Sequence, residues 1–434
     1  MHGKTTTAIK ADAKRSTGKP RWRVLRLLGP GLITGASDDD PSGIGTYSQV
    51  GAQFGYGMAW VMLFSYPLMA AIQEISARIG RVTGFGIAGN IRRHYPTWLL
   101  YPIVALLLVA NIINLGADLG AMGDAVRMLI GGPPHLYVVL FGVFCVLLQT
   151  YVEYKRYVSI LKWSTLSLFA YVGTALIVDV HWGAVARNML LPSLSFDNAY
   201  ITAIVAVMGT TISPYLFFWQ SSQEAEDERI DPKAHSFATA PAQAPSELHR
   251  IRLDTYFGMG VSNLIALFII ITTAATLHAA GITNIRNSTE AAEALRPLAG
   301  HFAFALFGLG IVGTGLLAIP VLAGSAAYAV GEARRWPTGL DRKPLEAKAF
   351  YVTIAIATTI GVGMNFMAID PIKALFWSAV VNGVVAVPVM VVVMVMAVQP
   401  RVMGRFTIPR GLIGFGWLVT LVMAATVIGM FGTF

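Results

Sequence analysis

Three consecutive carboxylates, Asp38, Asp39 and Asp40, interrupt an otherwise apolar stretch that runs from Leu27 to Gly55. At the centre of a lipid-facing span each would cost roughly 2.5 to 3.5 kcal/mol, and the three together about 8 to 10. They must face something other than lipid, and the chemistry open to carboxylates in such a place is to hold a cation. The Asp40-Pro41 step makes the interruption structural. Aspartate is a good helix N-cap, and proline suits the first helical position because its missing amide hydrogen needs no partner there. The stretch therefore reads as two apolar half-helices joined at a break. Successive helical positions differ by about 100 degrees, so the three carboxylates cannot all point to one ion without local unwinding. Asp40, beside the proline, is expected to carry the charge. Asp38 and Asp39 are expected to line the approach or to cap the break.

A second interruption lies in Gly209-Thr210-Thr211-Ile212-Ser213-Pro214-Tyr215. Pro214 disfavours the helical conformation at Ser213 and lacks a donor of its own. Alone it would be an ordinary kink. Paired with Asp40-Pro41, at similar depth and five spans away, it points to a transporter built from inverted repeats, with its site where the two breaks meet. Asn111, Asn114 and Asp118 share one helical face in the third span. Gly116 and Gly120 beside them suit close helix packing, so helix-to-helix hydrogen bonding and pathway lining remain equally open. In the tenth span, Asn382-Gly383 reads either as a local irregularity or as a packing asparagine. Glu74 and Arg78, four apart, read as an ion pair at the interface.

These residues need a membrane scaffold, and the composition supplies one. Of 434 residues, 55% are apolar and only 13% charged, which is the balance of a helical integral membrane protein. Apolar runs of spanning length number eleven, in the approximate windows 27–52, 57–79, 98–122, 134–152, 157–180, 199–222, 254–280, 301–331, 347–366, 371–398 and 411–433. With the amino terminus in the cytosol, all of the 32 Lys/Arg except Arg127, Arg187, Arg286, Arg296 and Lys373 fall on cytosolic segments. That bias predicts the amino terminus inside and the carboxyl terminus outside the plasma (inner) membrane. The net charge of +9 is thereby assigned to topology and not to nucleic acid. Residues 1–26 form a basic cytosolic tail without the apolar core of a signal peptide. Lys155 and Arg156 mark a short loop, and 223–252 reads as a flexible cytosolic connector. The transporter core spans 27–398, as repeats of about 27–180 and 199–398, with 411–434 as an additional helix. The single cysteine, Cys145, excludes an intramolecular disulfide and a cysteine-rich metal site.

The Asp40-Pro41 and Gly209-to-Tyr215 motifs, with Arg81-Val82-Thr83-Gly84 after the second span, resemble the NRAMP family of divalent-metal transporters, over about Leu27 to Pro400. The resemblance implies an all-α, LeuT-type five-plus-five inverted repeat with broken first and sixth helices. The family's first motif, Asp-Pro-Gly-Asn, reads Asp40-Pro41-Ser42-Gly43 here, and its second, Met-Pro-His, reads Ser213-Pro214-Tyr215. Carried over by position, Asp40 is the retained ligand. Gly43 replaces an asparagine ligand and Ser213 a methionine ligand, while Ser37 and Thr210 hold the main-chain carbonyl positions. Loss of the thioether leaves only oxygen donors, which suit Mg²⁺, Ca²⁺ or Mn²⁺. Gly43 is expected to create room for a hydrated ion, and Mg²⁺ typically keeps several waters. The pattern is most similar to a divergent, magnesium-transporting branch.

The family's proton-coupling histidine is Tyr215 here, and its third-span acidic pair aligns with Asn114 and Ala117. None of these titrates near neutral pH, so uptake is expected without proton coupling. A divalent cation crossing about 100 mV gains roughly 4.6 kcal/mol, or about a thousandfold accumulation or more, which makes uncoupled uptake feasible. The expected protein is a single-chain transporter in the lipid bilayer, not an enzyme. It would have no resident cofactor and would carry Mg²⁺, with Mn²⁺ as a second ion. Asp38, Asp39, Tyr215, Asn114 and Asn382 would lie along the pathway or behind the ligands. The alternatives are a proton-coupled Mn²⁺/Fe²⁺ symporter and a LeuT-type carrier of a small organic solute.

Overall fold

Pro41 and Pro214 each sit in the first turn of a new helix, and the two breaks before them organise the molecule around its centre. The computed structural model describes residues 30–152, 163–237, 239–367 and 370–433, and no strand occurs among the described residues. Helices α1 (Pro30–Asp38) and α2 (Pro41–Phe54) form the first broken pair. A 3₁₀ turn leads into α3 (Ala59–Thr83), followed by the short α4 (Ile87–His94). Then come α5 (Thr97–Ile130), α6 (Pro134–Tyr151), α7 (Phe169–Ile177) and α8 (Trp182–Leu190). The second broken pair is α9 (Asn198–Thr211) and α10 (Pro214–Ile230). It is followed by α11 (Ala244–Thr273), α12 (Ala303–Arg334), α13 (Lys348–Met364), α14 (Pro371–Val398) and α15 (Arg410–Thr433). The basic tail, Leu27 to Gly29, and the Lys155-Arg156 loop lie outside the described residues.

By length and composition, eight helical stretches among the described residues are able to cross a membrane, or nine if Thr165–Ile177 and Trp182–Leu190, bent by 113°, count as one span. The difference from eleven windows has physical sources. The 3₁₀ turn carries α2 into α3 as one stretch, Pro41–Thr83, so two windows merge. Helix α13 is apolar but only 17 residues long, and the fifth window begins in residues that lie outside the described ones.

Close backbone contacts set the central packing. Helix α11 lies along α1 and α2, α9 lies along α14, and α5 packs between α12 and α14. An ideal Cβ on Gly35 would stand 2.8 Å from Gly258 Cα, and one on Gly209 would stand 2.8 Å from Gly383 Cα. Only glycine permits these approaches. Helix α14 runs unbroken through Asn382-Gly383, so that pair marks packing and not an irregularity.

The segment 223–252 is not a flexible connector. Helix α10 continues to Ile230 and α11 starts at Ala244, leaving only a short irregular link between them. Ion pairs hold this polar stretch down: Arg250 to Glu224 at 2.6 Å, and Arg81 to Glu228 at 3.1 Å. The Glu74–Arg78 pair forms as expected, at 2.6 Å.

Candidate cation site

Asp40 leaves the helical conformation (φ −71°, ψ 169°) and caps α2, its Oδ1 accepting the Gly43 amide at 2.7 Å. A carboxylate at a helix amino terminus is favoured by the unsatisfied amides and by the helix dipole. Its second oxygen, Oδ2, accepts from Asn114 Nδ2 at 3.0 Å and lies 3.2 Å from the Tyr215 hydroxyl. That hydroxyl is equally near the Ser37 carbonyl oxygen, also at 3.2 Å. Asp40, Asn114, Tyr215 and the Ser37 carbonyl, from α1/α2, α5 and α10, thus converge on one point.

A second carboxylate stands beside them. Asp118, one turn beyond Asn114 on α5, accepts the Ser42 amide on Oδ1 at 3.1 Å, while its Oδ2 has no hydrogen-bond partner. In the sequence Asp118 stands out only as part of a polar stripe and not as a site residue. Its spacing of four from Asn114 was the available signal. Ser378 joins the same network, donating to Asn114 Oδ1 at 2.9 Å and lying 3.1 Å from the Ser42 hydroxyl.

Asp38 and Asp39, expected to line the approach or to cap the break, are closed off from solvent here. They are 0% and 3% exposed, and both turn to Ser262 on α11, at 2.5 and 3.1 Å. Asp38 Oδ1 is left without a partner. Ser262 gave no sequence signal beyond being a hydroxyl in an apolar run.

The second break is built differently. Ser213 takes the N-cap position of α10 with extended backbone, yet its hydroxyl turns back to the Gly209 and Thr210 carbonyls, 2.7 and 2.9 Å away. The Thr210 carbonyl oxygen keeps one lone pair for another donor or ion. Gly43 does not open a large space here: a Cβ there would lie 3.2 Å from Thr210 Oγ1 and 3.3 Å from the Asp38 carbonyl oxygen. Asn382 is buried, its Oδ1 without a partner, and no hydrogen bond connects it to Asp40.

Asp38, Asp39, Asp40 and Asp118 are all at most 3% exposed, and none takes part in the ion pairs found among the described residues. Buried carboxylates without a counter-charge are costly, the more so with two oxygens lacking even a hydrogen bond. A cation would relieve that cost. Among the described residues, no three His, Cys, Asp or Glu side chains converge closely enough to hold a metal ion by themselves. The arrangement offers one or two carboxylates together with neutral oxygens, a donor set for a hard cation that keeps part of its water.

The family model described as natural resistance-associated macrophage protein-like (Nramp) matches residues 31–433. Among solved structures, the chain is similar to the manganese transporter of Eremococcus coleocola in complex with an aromatic bis-isothiourea compound. The identity is 18%, over 96% of this chain and 88% of that one, with a TM-score of 0.72. It is also similar to MhsT in complex with L-phenylalanine, at 12% identity over 93% of this chain and 98% of that one, with a TM-score of 0.62. These likenesses establish the LeuT-type fold.

Proposed function

Since the chain belongs to the Nramp family of membrane transporters, we propose that its cargo is a divalent cation, Mg²⁺ foremost and Mn²⁺ as a second substrate, bound beside Asp40 and carried by alternating access. The observation that supports this above all is the group of four buried carboxylates with no cationic side chain paired to them among the described residues. Asp40 supplies the main charge. The Ser37 and Thr210 carbonyls and Ser213 complete the inner oxygens, while Asn114 and Tyr215 hold the carboxylate in place. Gly43 contributes no side-chain ligand. Water left on the ion takes the remaining positions, as Mg²⁺ favours.

Seclusion of these residues from solvent suits an occluded stage of the cycle. One group of helices then rocks against the other to open the site to each side in turn. The positive-inside bias puts the amino terminus in the cytosol and the carboxyl terminus outside. The neutral partners of Asp40, an amide and a phenol, favour movement of the ion without a proton.

A proton-coupled Mn²⁺/Fe²⁺ symporter has one specific observation in its favour: Asp118 keeps an ionisable group, with a free oxygen, one turn from Asn114. An organic-solute carrier is disfavoured because the α2 amides of Ser42 and Gly43, which would receive a substrate carboxylate, already bond to Asp118 and Asp40. Competition between Mg²⁺ and Mn²⁺ for uptake into proteoliposomes, with internal pH recorded in the same vesicles, tests the assignment. Saturable Mg²⁺ uptake without internal acidification is expected. Acidification that follows uptake one-for-one would replace it with the symporter.

A further inference from the structure

Away from the carboxylates, a cavity of about 380 Å³ opens at the end of the bundle where α10 and α12 finish and α4 begins. Its wall carries Arg92, Arg229, Arg335 and Arg342, with Trp336 beside them and Glu332 as the one acidic side chain in the lining. Glu332 is already engaged: its oxygens accept the Gly86 amide at 3.1 Å, the Gly89 amide at 2.8 Å and the Ser222 hydroxyl at 3.3 Å. It serves as the cap of α4 and is poorly placed to neutralise four guanidinium groups. The other nearby compensation is weak. Arg229 meets Glu226 only at 3.8 Å, and Glu226 also accepts from Tyr328 and from the Asp341 amide at 2.9 Å. Arg342 uses its Nε on the Thr338 carbonyl, at 3.2 Å, which leaves its outer nitrogens for another acceptor. Arg92 Nη1 is buried without any hydrogen-bond partner.

We propose that this cavity binds a phosphate-bearing anion, either the headgroup of an anionic phospholipid or a soluble phosphate compound. Arginine is suited to the task because its planar fork matches phosphate oxygens two at a time. The volume falls within the range of roughly 300 to 1,000 Å³ typical of small-ligand pockets. Burial and the neighbouring Arg335 and Arg93 charges push the Arg92 guanidinium below its usual range, with Glu332 acting in the opposite direction. A bound anion removes that repulsion. The positive-inside bias puts this end of the bundle at the cytosolic leaflet, where anionic headgroups and soluble phosphates are both within reach. The site is independent of the cargo assignment, since its lining shares no residue with the groups bonded to Asp40.

The test uses the purified full chain in neutral detergent, free of Mg²⁺. Its unfolding temperature is followed while sodium pyrophosphate, dioctanoyl phosphatidylglycerol or, as a zwitterionic control, dioctanoyl phosphatidylcholine is added. Arg229→Gln combined with Arg342→Gln removes two exposed charges from the wall, whereas Arg405→Gln combined with Arg410→Gln makes the same charge change elsewhere. A saturable rise with pyrophosphate or with phosphatidylglycerol is expected, weakened about tenfold or more in affinity by the first pair and unchanged by the second. A rise with phosphatidylglycerol alone identifies the lipid, and a rise with pyrophosphate alone identifies a soluble phosphate. Absence of a rise with both, or a rise that survives the Arg229/Arg342 change, overturns the proposal.

Discussion

The two breaks are alike in backbone and different in charge. Each ends one helix, passes through an extended residue and starts the next helix with proline. The first has three carboxylates at its turn, and Asp40 closes its own helix cap through the Gly43 amide. The second has only neutral groups, and Ser213 spends its hydroxyl on its own preceding turn. The difference teaches that the recurrence of a break and the chemistry of a break are separate properties. Proline and a capping residue make the shape, while the charge needed for a cation resides in one copy alone. The second break contributes fixed dipoles and the Tyr215 hydroxyl.

If that division of labour holds, substitutions at the first break outweigh those at the second. Asp40→Ala is expected to abolish saturable Mg²⁺ uptake in proteoliposomes, since it removes the main charge; near-normal uptake would end the assignment. Asp118→Asn keeps the shape while removing a neighbouring charge. It is expected to weaken Mg²⁺ affinity by about 10- to 100-fold, read from the concentration dependence of uptake. An unchanged affinity would mean that Asp118 only packs against the Ser42 amide. Tyr215→Phe deletes the hydroxyl near Asp40 Oδ2 and the Ser37 carbonyl, and about a tenfold loss of affinity is expected. Should it equal the loss in Asp40→Ala, the contrast between the breaks would fail. Ser213→Met is the mildest. It should leave Mg²⁺ transport measurable while shifting preference towards Mn²⁺ or Cd²⁺ in competition assays, because a thioether favours softer ions. With no shift, Ser213 cannot be near the ion.

Local chemistry explains what could be read from the sequence. Pro41 and Pro214 announce their breaks through properties of one residue, and Asp40 as a cap follows from its place before Pro41. What escaped depends on how helices are turned towards each other. Asp118 meets the Ser42 amide across 76 positions of chain, and Ser262 meets Asp38 across 224. Neither contact has a periodicity of its own. The 223–252 stretch hides its structure for a related reason: its composition resembles a linker, but its acidic residues have arginine partners on α3 and α11 that composition does not reveal. Gly43 was expected to mark open space, and instead the Thr210 hydroxyl lies against it.

The glycine contacts at Gly35 and Gly209 have a mechanical consequence. With Gly258 and Gly383 pressed against them, the half-helices ahead of the two breaks are each clasped by a different neighbour, α11 in one case and α14 in the other. Neither half-helix can slide without dragging a full-length helix along. In the proposed cycle the breaks would act as seams between two plates, and shear along those seams would displace Asp40 relative to the Thr210 carbonyl. Opening a path and loosening the grip on the proposed cargo would then be a single stroke.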